Sequence, residues 1–185
     1  VIAPIQQNKE GVLDKAYALK EELVKAGIRV KVDDSDKTPG FKFADGEVRG
    51  IPLRLEIGPK DIEKNQAVLV RRDNREKLVA ELSGLSTKVE EVLQQMQKDM
   101  YGRALSFQKE RTTDAKSLDE LVASIDKKPG FVRAMWCGCR ECEDKLKEYS
   151  GITSRCIPMA QEEISDTCVV CGKKAAKMVY WGRAY

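Results

Sequence analysis

The chain opens on a short apolar run, Val1 to Ile5, which reads as a buried strand. Behind it Val12, Leu13, Ala16, Leu19, Leu23 and Val24 recur at intervals of three and four. That spacing lays one apolar stripe along a helix and predicts a helix between Asn8 and Gly27. Gly27 is a natural stop, because glycine accepts the left-handed backbone that ends a helix. Ile28, Val30 and Val32 then alternate with Arg29 and Lys31, the period of a half-buried strand. Strand, helix and strand in this order predict parallel neighbours joined by a right-handed crossover.

Thr38, Pro39 and Gly40 break the pattern, and residues 41–50 fit either a short helix or an extended loop. Leu53, Leu55 and Ile57 alternate with Arg54 and Glu56 and stop at Gly58 and Pro59. A polar turn over 60–65 leads into a strand at Ala67 to Val70, and Leu78 to Leu82 fit a last strand or a helix start. Four or five strands with helices between them predict an α/β domain with a mixed sheet. From Leu85 to Glu110 the pattern is helical, with Val89, Val92, Leu93, Met96 and Met100 on one face and charged faces that read as solvated surface. A second helix, Leu118 to Ile125, ends before Pro129 and Gly130, which read as a hinge. Phe131 to Trp136 reads as a strand, Glu141 to Tyr149 as a helix closed by Gly151, and 154–159 and 176–181 as further strands. These make a small α+β domain. The expected division is 1–112, with the long helix trailing the first domain, and 113–185.

Composition narrows the function. Hydrophobic residues make up 42% of the 185, enough for a core, and charged residues 34%. A net charge of +3 is no nucleic-acid signature by itself. No apolar run approaches the roughly 18 residues of a membrane span, and Val1 to Ile5, too short and without a basic lead-in, is not expected to be a secretory leader. The start without Met, inside a strand, suggests a piece of a longer protein. Histidine is absent, which removes the commonest general base and every Ser-His or Cys-His nucleophile pair. Neither standard Gly-rich phosphate loop occurs. A self-contained enzyme is not expected.

All six cysteines lie between Cys137 and Cys171. Cys168 and Cys171 sit three positions apart before Gly172, a turn that spans one edge of a zinc tetrahedron. Two pairs fit the other edge: Cys139 with Cys142, or Cys137 with Cys142. Without histidine only a four-cysteine site is available. The competing reading is disulfides, but the cysteine-free first domain and the lack of a leader favour a reducing compartment. Such a closed site folds a domain rather than catalysing a reaction. Cys156 reads as a buried structural thiol. Arg140, Lys173 and Lys174 are placed to offset the charge of four thiolates.

Several segments together resemble the C-terminal part of prolyl-tRNA synthetase in the form shared by archaea, eukaryotes and some bacteria. They are residues 38–43 (TPGFKF), 49–61 (RGIPLRLEIGPKD), 135–138 (MWCG), 155–158 (RCIP) and 181–185 (WGRAY), in family order along nearly the whole chain. The resemblance implies an α/β anticodon-binding domain followed by a small zinc-binding α+β domain. A catalytic domain outside this chain would join ATP, with Mg2+, and proline and pass the proline to tRNA. It implies Cys137 and Cys142 as the first ligand pair, completed by Cys168 and Cys171, with Cys139 an extra cysteine. It also implies a cytoplasmic homodimer formed mainly through the catalytic domain, so that this piece alone would be a monomer, and a terminal Tyr185 directed toward the active site. A stand-alone RNA-binding or interaction module is the alternative.

Proline anticodons carry guanine at their second and third positions. Guanine presents N–H donors on its Watson–Crick edge and O6 and N7 acceptors on its Hoogsteen edge, so its reader needs carboxylates and cationic donors together. Glu47, Arg54, Lys60 and Asp61 supply that mixture, and the family's anticodon contacts resemble this set. Arg71, Arg72 and Arg75 form a basic cluster expected to hold phosphates or a base.

Overall fold

A computed structural model describes residues 1–183. The expectation for Tyr185 falls outside the described residues. The chain divides into two compact units, the first Val1–Tyr101 and the second beginning at Gly102.

In the first unit, β1 (Ile2–Pro4) and β2 (Leu53–Ile57) pair in parallel. β3 (Gln66–Arg71) and β4 (Lys77–Glu81) extend the sheet antiparallel, in the order β1-β2-β3-β4. Alternation along β2 sends Leu53, Leu55 and Ile57 into the core and Arg54 and Glu56 to the opposite face. On the core side lie two helices. α1 (Val12–Lys25) contributes Ala16, Leu19 and Leu23, and the first half of α4 (Leu85–Glu110) contributes Leu85, Val89, Val92 and Met96. Burial of each larger aliphatic side chain is worth about 1.5–3 kcal/mol, and the Ala, Leu, Lys and Glu residues of α1 add favourable intrinsic helix propensity.

Two local expectations of this unit differ from the structure, and of the two readings open for 41–50 the helical one holds. The strand expected at 28–32 reduces to one parallel bridge, Ile2 with Val32, because β1 is only three residues long. Ile2 donates to the Lys31 carbonyl and Asp33 donates back to Ile2, and there the ladder ends. Residues 39–48 form a full helix, α2 (Pro39–Val48). The polar turn after β2 is a short helix, α3 (Pro59–Glu63), in which proline is the first helical residue rather than a breaker.

The second unit holds β5 (Thr112–Asp114), β6 (Phe131–Trp136), β8 (Lys177–Arg183) and β7 (Ile152–Cys156), paired in that spatial order. β5 and β6 are parallel; β8 runs antiparallel to both β6 and β7. α5 (Leu118–Lys127) and α6 (Arg140–Ser150) bury Leu121, Ile125 and Leu146 against Val132, Ala134, Ile152, Val179 and Trp181. The rings of Trp136 and Trp181 meet edge to face with centroids 6.2 Å apart. Gly130 marks a close approach: a Cβ there would stand 2.2 Å from the Arg111 carbonyl oxygen, beside the hydrogen bond by which Phe131 donates to that oxygen. No helix among the described residues is long and apolar enough to cross a membrane.

Candidate functional site

Four of the six cysteines converge. The ligand atoms of Cys137, Cys142, Cys168 and Cys171 all lie within 4.8 Å of one another. Cys137 follows β6, and Cys142 lies in the first turn of α6. The second pair is shaped by a tight turn in which Gly172 donates to the Cys168 carbonyl at 2.9 Å and Cys168 donates to that of Lys173 at 2.7 Å. Gly172 has φ +70°, which glycine adopts without strain. Val169 donates to Met135 and Ala176 to Trp136, so the turn is fastened to β6 itself.

The spacing fits a tetrahedral thiophilic ion. Zinc–sulfur bonds of about 2.3 Å give a tetrahedron edge of about 3.8 Å. The Cys137 sulfur lies 3.6 Å from that of Cys142 and 3.8 Å from that of Cys171. A disulfide needs about 2.05 Å, and all six cysteines are free thiols. Burial, followed by the neighbouring thiols of Cys171 and Cys137, drives the Cys142 thiol far above its ordinary range. Burial also opposes ionisation of Cys168, but backbone N–H groups of Cys171, Val170 and Cys137 outweigh it and bring this thiol down to about 7. Thiols packed this closely cannot all ionise together unless a cation compensates them. The cluster can therefore hold a metal ion.

Cys139 stands outside the four. It is exposed at the start of α6, and its carbonyl accepts a hydrogen bond from the Trp136 indole at 3.1 Å. Cys156 is exposed rather than buried, as the last residue of β7 beyond a register shift at Ser154. Arg140 is solvated and pairs with Asp144 at 3.6 Å.

In the first unit, the outward face of β2 gathers charge. Arg54 Nε donates to Glu56 Oε1 at 2.8 Å, and Arg54 Nη1 lies 3.9 Å from Glu47 Oε1 near the end of α2. The guanidinium also lies over the Phe43 ring, 3.9 Å from its centroid. Glu47, Arg54 and Arg72 line one small cavity, and Arg75 reaches Glu47 at 3.7 Å. Lys60 is exposed on α3, where the Asp61 carboxylate accepts the Gly58 N–H at 2.9 Å.

The three arginines expected as one cluster separate. β3 alternates, so Arg71 and Arg72 point to opposite faces of the sheet. Arg72 is exposed beside Arg54. Arg71 is 5% exposed on the core side and donates to Asp73 at 2.9 and 3.0 Å and to Asp99 of α4 at 2.6 Å. Hydrogen bonds to Asp73 and then to Asp99 push its pKa still further up. Sequence reasoning missed Asp99, 28 positions from Arg71 and without a local signal. Phe43 it met only as part of a motif. Glu56 had a signal: it alternates with Arg54 on one strand face.

Residues 1–93 match the family described as Anticodon binding domain, and residues 118–185 match Prolyl-tRNA synthetase, C-terminal. Proline–tRNA ligase of Lachnoclostridium phytofermentans is 60% identical over all 185 residues. The protein of that name from Clostridium botulinum (strain ATCC 19397 / Type A) is 58% identical and that from Clostridium novyi (strain NT) 55%, again over the whole chain. The chain spans 38% of the length of each of these relatives.

Proposed function

The chain belongs to the anticodon-binding domain family and carries behind that domain the C-terminal part of a prolyl-tRNA synthetase, and on that premise we propose that it reads the anticodon of tRNA(Pro) for a proline–tRNA ligase. The observation that carries this is the outward face of β2, where one guanidinium and two carboxylates converge beside a second arginine. The Arg54 fork donates to guanine O6 and N7, the commonest pairing of that base with protein. Glu47 and Asp61 accept from guanine N–H groups, and Lys60 and Arg72 neutralise the phosphates of the loop. Arg71 acts from beneath, holding the turn that carries Arg72.

We assign anticodon reading to the first unit and the metal site to the second. Zinc held by Cys137, Cys142, Cys168 and Cys171 supplies folding free energy to the second part and takes no step in the reaction. Activation of proline with ATP and Mg2+ and its transfer belong to the part of the relatives that this chain does not span. The full-length protein works as a cytoplasmic homodimer.

An RNA hairpin bearing the tRNA(Pro) anticodon loop, titrated into the full-length protein, tests the proposal. It should compete with intact tRNA(Pro), and replacing either anticodon guanine by adenine should weaken the competition. Equal competition by hairpins of unrelated anticodon would overturn it.

A further inference from the structure

Residues 38–43 have no part in the chemistry above, yet they build the underside of Arg54. The Thr38 hydroxyl caps α2 by accepting the Phe41 N–H at 3.4 Å, and Pro39 follows as a first helical residue. Lys42 is 4% exposed, and its ammonium donates to Gln7 Oε1 at 2.7 Å and to the Asp33 carbonyl at 2.8 Å. Gln7 follows β1 and Asp33 follows the Val32 bridge, so a buried cation ties one side of α2 to two separate loops. Charge-assisted hydrogen bonds of this kind are directional, and they fix the rotation of α2 about its axis.

The next residue along a helix projects about 100° further round, and here it is Phe43. Its ring takes the face of the Arg54 guanidinium at 3.9 Å, while Glu56 takes the Nε–H edge at 2.8 Å. An arginine has five N–H donors in one rigid plane. With one face on a ring, one edge on Glu56 and Nη1 3.9 Å from Glu47, that plane is held in one orientation. We infer that Phe43 is a positioning residue for anticodon reading: its ring sets the plane of Arg54 so that the terminal N–H groups meet a guanine edge. The inference rests on Arg54 being an anticodon reader, as proposed above.

The test uses the full-length protein and tRNA(Pro) with guanine or adenine at the second or third anticodon position. The readout is the ratio of kcat/KM for cognate over substituted tRNA, alongside thermal unfolding. Phe43→Leu removes the ring face and keeps an apolar side chain; Phe43→Tyr keeps the ring. Phe43→Leu should cut discrimination roughly 3- to 10-fold at the position Arg54 reads. Phe43→Tyr should retain it, and Phe43→Leu should add nothing to Arg54→Ala. Phe43→Met makes the same comparison where Phe43→Leu does not stay folded. If Arg54→Ala abolishes discrimination while the Phe43 variants leave it intact, or lower both tRNAs equally, the positioning role is wrong and the reader stands. If Arg54→Ala itself leaves the ratio unchanged, the reader is wrong and the inference goes with it.

Discussion

Arg71 on β3 donates to Asp99 on α4 across 2.6 Å, and this ion pair lies on the opposite side of the sheet from Arg72. Two neighbouring arginines thus have different work. Arg71→Ala should destabilise the first unit by about 3 kcal/mol, near the lower edge of the cost of breaking a buried pair, because Asp99 keeps some solvent. Urea unfolding measures it. Arg72→Ala should leave stability nearly unchanged and weaken tRNA binding. The reverse pattern would show that the two roles are exchanged.

Acid should reveal the same pair. Hydrogen bonds from Arg71 and then Gln95 hold the Asp99 carboxyl below the usual carboxylate range. A depressed folded pKa contributes stability above the unfolded value of about 4 and loses it as pH falls through the folded one. The stability gap between the natural protein and Asp99→Asn should therefore be full at neutral pH and shrink below about pH 4. A gap that stays constant between neutral pH and pH 3 would exclude a role for Asp99 ionisation.

For the metal centre, elemental analysis of the full-length protein should find one zinc per chain. Cys137→Ser should lose the metal and loosen the second unit, whereas Cys139→Ser and Cys156→Ser should keep it. Because thiolates are the ligands, acidification should release the ion. Loss of metal in Cys139→Ser but not in Cys137→Ser would relocate the fourth ligand.

Gly130→Ala should place a methyl group 2.2 Å from the Arg111 carbonyl oxygen, forcing β5 and β6 apart at their start. Backbone cannot rotate away as a side chain can, so a cost of about 1–3 kcal/mol is expected. Hydrogen exchange should rise first at the Phe131 amide, which donates to Arg111. Unchanged exchange there would refute the steric account.

The parts legible in the sequence are those with a long period. The α1 stripe, the alternation of β2 and the spacing of Cys168 and Cys171 each repeat a geometric unit, and the geometry follows from the repeat. α3 was hidden because Pro59 reads equally as a break or a first helical residue. β5 is three residues long, with Thr113 and Asp114 both exposed, and offers no alternation to detect. The separation of Arg71 from Arg72 follows from strand period once β3 is known to reach Arg71. The partner Asp99 does not, since a contact between a strand and a helix 28 positions away is decided by packing. Local spacing alone favours Cys139; the turn that joins β6 to α6 instead brings Cys137 to the other three sulfurs and leaves Cys139 exposed.

Arg54 is the residue proposed to read a guanine of the anticodon. The most direct test is kcat/KM for proline transfer by the full-length protein, natural and Arg54→Ala, to tRNA(Pro) carrying guanine or adenine at each of the last two anticodon positions. Arg54→Ala should lower discrimination at one position by about 1–3 kcal/mol, roughly 5- to 150-fold, and leave the other position nearly unchanged. An equal loss against cognate and substituted tRNA would contradict it and reduce Arg54 to a phosphate contact.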